Sequence, residues 1–131
     1  MRNNRKGFTL IEMLVVIAVI GILSAAVLTA LGPSRAKAKD TRIISGLNQV
    51  RALAETLYDG DYDAVVVTQT DIAKVATDIT NNQGTLTINV ATDKLSYAAY
   101  SNLVSGGFYC VDSAGTAKTE AATPGIGAVC P

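Results

Sequence analysis

The chain has 131 residues, enough for one domain, and its 11 basic residues balance its 11 acidic residues. It has no histidine, so the commonest general base and metal ligand is absent. Because Arg2, Arg5 and Lys6 carry three of the positive charges, the rest of the chain has 8 basic against 11 acidic residues, which argues against nucleic acid as its main partner.

A long apolar run follows the short basic leader. Residues 8–31 form a stretch of 24 residues in which Glu12 is the one charged side chain. About 20 apolar residues cross a bilayer as a helix, and the leader should then stay on the cytoplasmic side. A carboxylate within such a helix is costly, roughly 2.5–3.5 kcal/mol at mid-membrane, so Glu12 needs a positive partner.

Two other interpretations of this region remain open. Glu12 can be a simple helix-start acid, favoured by the positive end of the helix dipole. The run can also be the core of an ordinary secretory signal peptide, with small residues for a cut at Ala25 and Ala26. The run is longer than the usual core of a cleaved signal, which favours a membrane span.

The segment Gly7-Phe8-Thr9-Leu10-Ile11-Glu12 resembles the processing and methylation site of type IV pilins and of the related pseudopilins of type II secretion. The resemblance implies that a prepilin peptidase cuts between Gly7 and Phe8 and methylates the new amine of Phe8. It also implies that Glu12 pairs with the Phe8 amine of a neighbouring subunit during filament assembly. Charges buried as a pair lower each other's desolvation cost, which would fix the axial stagger of subunits.

The apolar run continues into an amphipathic helix. Beyond residues 34–40, which favour a helix and carry basic side chains suited to the outer membrane surface, apolar residues recur at spacings of 4, 3, 4 and 3. We predict one helix over residues 8–58, roughly 75 Å long, that Gly32-Pro33 either ends or kinks. Many pilins have a proline in the outer apolar half, where this chain has Thr29. The predicted buried stripe consists of Ile43, Leu47, Val50, Ala54 and Leu57.

Residues 59–84 read as a polar loop and a short helix. The loop includes the β-rich run Val65-Val66-Val67, and Thr68 precedes Asp71 by three residues, as in a capping box. The short helix should run to about residue 80 and bury one face. That face consists of Ile72, Val75, Ala76 and Ile79.

Residues 85–131 predict a meander of antiparallel strands laid across the amphipathic half of the helix. The strands are the alternating run at 86–90, then residues 95–101, 108–112 and 116–119. The fold class is therefore α+β, and the resemblance implies a pilin-like arrangement of the helix and sheet. Cys110 and Cys130 lie beyond the span, where an oxidising environment favours a disulfide worth ~3 kcal/mol; two free buried thiols are the alternative.

Other constellations are weaker. Asp59, Asp61 and Asp63 alternate like the first half of a calcium loop, but Ala64 and Thr70 stand where glycine and glutamate are needed, so we predict a solvated acidic loop without metal. No catalytic set, cofactor site or enzyme is indicated. The tyrosines should pack a sheet with their hydroxyls outward; they are Tyr58, Tyr62, Tyr97, Tyr100 and Tyr109.

The sequence thus divides into a leader (1–7), a membrane or filament-core half-helix (8–31), an amphipathic half-helix (32–58), a connection (59–84) and a sheet with a disulfide loop (85–131). The resemblance implies a structural subunit of a type IV pilus-like filament. Its partners would be itself, the prepilin peptidase, an assembly ATPase and an inner-membrane platform protein. It would lie in the bacterial inner membrane and then in an extracellular pilus. A pseudopilin of a secretion or competence DNA-uptake system, and a monomeric membrane-anchored binding domain, are the alternatives.

Overall fold

A computed structural model describes residues 7–131, which contain two helices and four strands. The chain divides into two units, one running to Ser34 and the other from Arg35 to Pro131. The first helix, α1, spans Leu10–Leu57 and confirms the long predicted helix to within two residues at each end. Pro33 lies inside α1 and does not end it, although proline supplies no N–H to the carbonyl four residues earlier.

In the first unit, α1 has no packing partner. Every residue from 7 to 34 is exposed, including large apolar side chains such as Ile22, which is 72% exposed, and Leu28, which is 70% exposed. Side chains this apolar are normally removed from water in a folded protein. Within the part of the chain that the structure describes, α1 is the one helix long and apolar enough to cross a membrane.

The second unit contains a four-stranded antiparallel sheet in the order β1-β2-β3-β4. The third predicted strand has the predicted bounds, and the others begin or end one to two residues away. Short turns join the strands, so each pairs with its chain neighbour. The strands are β1 (Thr87–Val90), β2 (Tyr97–Asn102), β3 (Phe108–Asp112) and β4 (Ala117–Glu120).

The core lies between the predicted stripe of α1 and the inner face of the sheet. Ile43, Leu47, Val50 and Ala54 have no exposed surface, and Leu57 is partly buried against them. Burying each Ile, Leu or Val side chain contributes roughly 1.5–3 kcal/mol. The inner face of the sheet contributes residues that alternate along the strands, as the pleat requires; they include Ile88, Tyr97, Ala99 and Val111.

The second helix, α2, spans Thr70–Asn81 and buries Ile72 and Ile79 as predicted. The predicted cap at Thr68 was wrong: the N-cap is Gln69, whose side-chain oxygen accepts hydrogen bonds from the backbone of Asp71 and Ile72. This longer side chain reaches the same orphan N–H groups that threonine usually satisfies. The β-rich run at residues 65–67 forms no strand.

The close approach of the two helices depends on a glycine. A Cβ added to Gly46 would lie 2.8 Å from the side chain of Ile79. Because glycine has no side chain there, α2 can pack against the α1 backbone. Gly46 is buried beside the predicted stripe and extends the contact surface of α1.

The outer face of the sheet, opposite α1, is covered by residues 121–131, which we call the C-terminal strap. Cys110 on β3 is bonded to Cys130 in the strap, which confirms the predicted disulfide. The backbone N–H of Cys130 also donates to Asp112, and the side chain of Asn89 donates to the carbonyl of Gly125. Ala98 is fully buried on this outer face, between Asn89 and Asp112, the two residues that bind the strap.

Tyr97 departs from the prediction for the tyrosines. Its side chain is fully buried, and its hydroxyl has no hydrogen-bond partner among the described residues. Burial raises the pKa of Tyr97 far above its ordinary value. Its ring packs edge-on against Tyr62, with centroids 4.8 Å apart. Tyr97 therefore fills the core, and its hydroxyl does not point to solvent.

Candidate processing and assembly site at the start of the long helix

Thr9 and Glu12 form a reciprocal cap at the first turn of α1. The backbone N–H of Glu12 donates to the Thr9 hydroxyl oxygen over 3.3 Å, and the backbone N–H of Thr9 donates to Oε2 of Glu12 over 2.7 Å. This is a capping box, in which two N–H groups that the helix leaves unpaired gain side-chain acceptors. The signal Thr-x-x-Glu is present in the sequence at residues 9–12, but we predicted a capping box only for the second helix.

The two oxygens of the Glu12 carboxylate are used differently. Oε2 accepts both the backbone N–H and the hydroxyl of Thr9, the latter over 2.8 Å. Among the described residues, none donates a hydrogen bond to Oε1. The cap therefore fixes the carboxylate at the start of the helix and leaves one oxygen available for another donor.

The peptide bond between Gly7 and Phe8 lies beside this cap and is open to solvent. The Phe8 side chain is 81% exposed, and no heavy atom lies within 4 Å of the position where a Gly7 side chain would begin. The basic residues of the predicted leader, Arg2, Arg5 and Lys6, lie outside the described residues. Nothing in residues 7–131 blocks access to the predicted cleavage point.

The acidic loop after α1 has partners of its own. Asp61 accepts the backbone N–H of Asp63, and Asp63 pairs with Lys94 over 3.0 Å. The hydrogen bond and charge of Asp63 raise the pKa of Lys94. Within residues 7–131, no group of three or more His, Cys, Asp and Glu side chains could hold a metal ion.

Two buried carboxylates, Asp40 and Asp112, were not predicted from the sequence. Asp40, 7% exposed, accepts the backbone N–H of Val104 over 2.6 Å and also the N–H and hydroxyl of Ser105. It thereby attaches the β2–β3 turn to α1. Asp40 precedes Ile43 by three residues, so the stripe spacing could have identified it as inward-facing.

Asp112, at the other end of the sheet, likewise accepts hydrogen bonds from backbone N–H groups. It is 1% exposed and accepts the backbone N–H groups of Thr116, over 2.8 Å, and of Cys130, over 3.0 Å. Burial alone would raise its pKa, but the hydrogen bonds from Cys130 and Thr116 outweigh burial and hold the pKa of Asp112 below its ordinary value. The carboxylate joins the last hairpin and the strap to β3. No feature of the sequence around Asp112 indicates this role.

Comparison with known proteins places the N-terminal region in a recognised family. The family described as "Prokaryotic N-terminal methylation motif" matches residues 2–28. Type IV major fimbrial protein FimA of Dichelobacter nodosus is 41% identical over 61 residues, 46% of this chain and 39% of that protein. Type IV wide pilus major component PilA4 of Thermus thermophilus is 50% identical over 46 residues, 35% of each chain. Fimbrial protein Q of Moraxella bovis is 42% identical over 59 residues, 44% of this chain and 38% of that protein.

The chain therefore spans well under two thirds of each of these relatives. No solved structure matches it significantly. The fold supplies independent agreement, because one long N-terminal helix packs with a small antiparallel sheet and a C-terminal disulfide. The motif match, the relatives and the fold agree, and in all three respects the chain is similar to type IV pilins.

Proposed function

We propose that the chain is a structural subunit that polymerises into a type IV pilus-like filament after cleavage between Gly7 and Phe8. The observation that carries this proposal is that every residue from 8 to 31 is exposed in the single chain. Water is an unfavourable environment for such a surface. A bilayer covers it before assembly, and the equivalent helices of neighbouring subunits cover it in the filament.

Glu12 selects the position of a neighbour in this proposal. Its Oε1, which has no donor among residues 7–131, accepts a hydrogen bond from the Phe8 amine of an adjacent subunit, while Oε2 stays bound to Thr9. In an apolar helix bundle an unpaired charge is strongly unfavourable, so the stagger that pairs both charges is preferred. Cleavage must precede assembly because an uncut leader offers no amine at Phe8.

The remaining machinery follows from the same proposal. A prepilin peptidase cuts the exposed bond after Gly7 and methylates Phe8. An assembly ATPase and an inner-membrane platform protein then move the subunit from the inner membrane into the filament. The chain performs no catalysis of its own in this scheme.

The processing step is tested by sequencing the N-terminus by mass spectrometry in membrane and sheared surface fractions. A chain that starts at N-methylated Phe8 and is recovered in the sheared fraction is the expected result for a surface pilus. The same terminus confined to the membrane fraction would instead indicate a pseudopilin. A start at Met1, or near Ala26, would overturn the filament proposal in favour of an anchored or secreted binding domain.

The assembly step is tested by three substitutions that separate the charge of Glu12 from its cap. Glu12→Gln retains an oxygen for the Thr9 N–H but has no charge, and Glu12→Ala has neither. Thr9→Val removes the hydroxyl of the cap and retains the charge. We expect both Glu12 variants to reach the membrane but to give no sheared filaments, whereas Thr9→Val still assembles. Wild-type filament yield from Glu12→Gln would show that charge pairing is wrong.

A further inference from the structure

The segment after the apolar run carries four cationic side chains in eight residues, Arg35, Lys37, Lys39 and Arg42, which we call the basic band. Arg35, Lys39 and Arg42 follow at spacings of four and three, so they share one face of α1. Arg35 and Arg42 are exposed and Lys39 is partly exposed. Lys37 is exposed on another face.

Asp40, the one acidic residue between Arg35 and Arg42, is buried. Asp40 lies between Lys39 and Arg42 in the chain, but its carboxylate is turned inward to the backbone of Val104 and Ser105. The sequence suggests a mixed charge pattern here, whereas the exposed surface is wholly positive. Both Asp40 oxygens accept hydrogen bonds from the turn, and the carboxylate forms no ion pair with a band residue in the described part of the chain.

The basic band also differs from the other lysines of the second unit. Lys74, Lys94 and Lys118 each pair with a carboxylate at 2.9–3.0 Å. In residues 7–131, no carboxylate oxygen lies within ion-pair distance of the four band residues. The band is thus a concentrated positive surface that lacks a counter-charge in the described part of the chain.

We propose that the basic band binds the anionic phosphate headgroups of membrane lipids at the outer surface, before the subunit is assembled. The inference rests on the membrane-inserted state in the proposed function. The band begins four residues after Leu31, at the end of the apolar run. Along the helix, Arg35 lies about 6 Å beyond Leu31 and Arg42 about 16 Å beyond it. Arg35 is therefore at the depth of the headgroup layer, which is about 5–8 Å thick on each side, and the long side chains of Lys39 and Arg42 must extend back toward it.

Two observations favour lipid over other roles for the band. A flank rich in Lys and Arg normally marks the cytoplasmic end of a span, but in the proposed orientation this flank lies outside, so membrane topology does not explain it. The acidic loop of a second copy is the competing partner. In that loop Asp63 is already paired with Lys94, which leaves Asp59 and Asp61 as two negative charges against the four cations of the band.

The test uses the full-length chain in nanodiscs made of equimolar phosphatidylcholine and phosphatidylglycerol. Native mass spectrometry counts the lipids of each type that remain bound when the protein is released. We expect the wild-type chain to be enriched in phosphatidylglycerol. The triple variant Arg35→Gln/Lys39→Gln/Arg42→Gln should lower that enrichment by about twofold or more, because each cation near an anionic lipid surface adds to the attraction.

The matched control, Lys74→Gln/Lys94→Gln/Lys118→Gln, removes the same charge from ion-paired positions and should keep the enrichment. Arg35→Lys/Arg42→Lys keeps the positive charge and should also behave as wild type. Equal enrichment in the band variant and in wild type would overturn the inference while the chain still inserts. Loss of filaments from the band variant without any loss of bound lipid would assign the band to a second copy. Failure of the wild-type chain to insert would overturn the proposed function and this inference together.

Discussion

The two halves of α1 have the same secondary structure and opposite surroundings. In the apolar half, residues 10–31, every side chain is exposed. In the striped half, residues 35–57, one face is completely buried against the sheet and α2. Helix propensity therefore explains neither burial pattern. The two halves differ in how many faces of the helix are apolar, and this decides what must cover each half.

The striped half has one apolar face, and a small body of the same chain is enough to cover it. The apolar half is apolar all round, so a single neighbour on one side would leave most of its surface in water. Only a bilayer, or several equivalent helices, can surround it. The comparison therefore identifies the striped half as the source of folding stability and the apolar half as a surface that the described part of the chain leaves uncovered.

Leucine-to-alanine substitutions at matched positions in the two halves should give the largest difference in the free energy of unfolding. Leu47 is fully buried, whereas Leu23 is 61% exposed. We expect Leu47→Ala to lower the free energy of unfolding by about 2–5 kcal/mol, the usual cost of a cavity in a core. Leu23→Ala should leave it nearly unchanged.

The measurement is urea unfolding of the full-length chain in mild detergent, followed by the near-ultraviolet circular dichroism of the tyrosines. All five tyrosines lie between residues 58 and 109, so the signal reports the second unit alone. Equal losses from Leu23→Ala and Leu47→Ala would mean that the apolar half contributes to the stability of the body, contrary to the comparison.

Removing the disulfide should affect the striped half and its sheet only. The double variant Cys110→Ser/Cys130→Ser opens a loop with a sequence separation of 20 residues. The chain-entropy argument gives a loss of about 3 kcal/mol for a loop of this size. The same tyrosine signal measures the loss, and adding a reductant to the wild-type chain should reproduce it. If reduced wild type unfolds at the same urea concentration as oxidised wild type, the strap contributes little to stability.

The elements that were predictable from sequence are those with a repeated pattern. The stripe at Ile43, Leu47, Val50 and Ala54 identified the buried face of α1 because its spacing repeats over several turns. The third strand was found with its bounds because glycines and a turn enclose it on both sides. Local patterns such as these are written in consecutive residues.

Long-range features escaped prediction because no local pattern encodes them. The partners of Asp40 are 64 and 65 residues away, and Asp112 reaches the strap 18 residues later. The burial of the Tyr97 hydroxyl depends on which side chains surround it in the folded unit. At the candidate site, the resemblance predicts a role for Glu12, and the hydrogen bonds between Glu12 and Thr9 were found only in the structure.

Glycine-to-alanine substitutions should have opposite effects on stability in the two halves of α1. Gly46→Ala in the striped half would place a Cβ 2.8 Å from Ile79, so α2 must shift, and we expect a loss of about 1–3 kcal/mol. Gly21→Ala in the apolar half meets no atom within 4 Å. It should favour the helix by roughly 0.5–1 kcal/mol.

Urea unfolding measures the first effect, and helix content by far-ultraviolet circular dichroism in detergent measures the second. If Gly21→Ala lowered the stability of the second unit, the apolar half would have to form packing contacts in the single chain.

Lowering the pH should give the smallest change in the free energy of unfolding, and we again expect it in the second unit, residues 35–131. Because hydrogen bonds hold the pKa of Asp112 below its ordinary value, its charged form stabilises the folded state above that ordinary value, about 3.9. This stabilisation is lost as the pH falls from about 4 through the lower pKa of the folded state. Asp112→Asn is similar in shape but does not titrate there, so its stability should fall less steeply below about pH 4. Urea midpoints of both chains across this range make the comparison, with Lys118→Gln as a surface control. Parallel acid slopes for wild type and Asp112→Asn would show that other carboxylates account for the acid sensitivity of the sheet and strap.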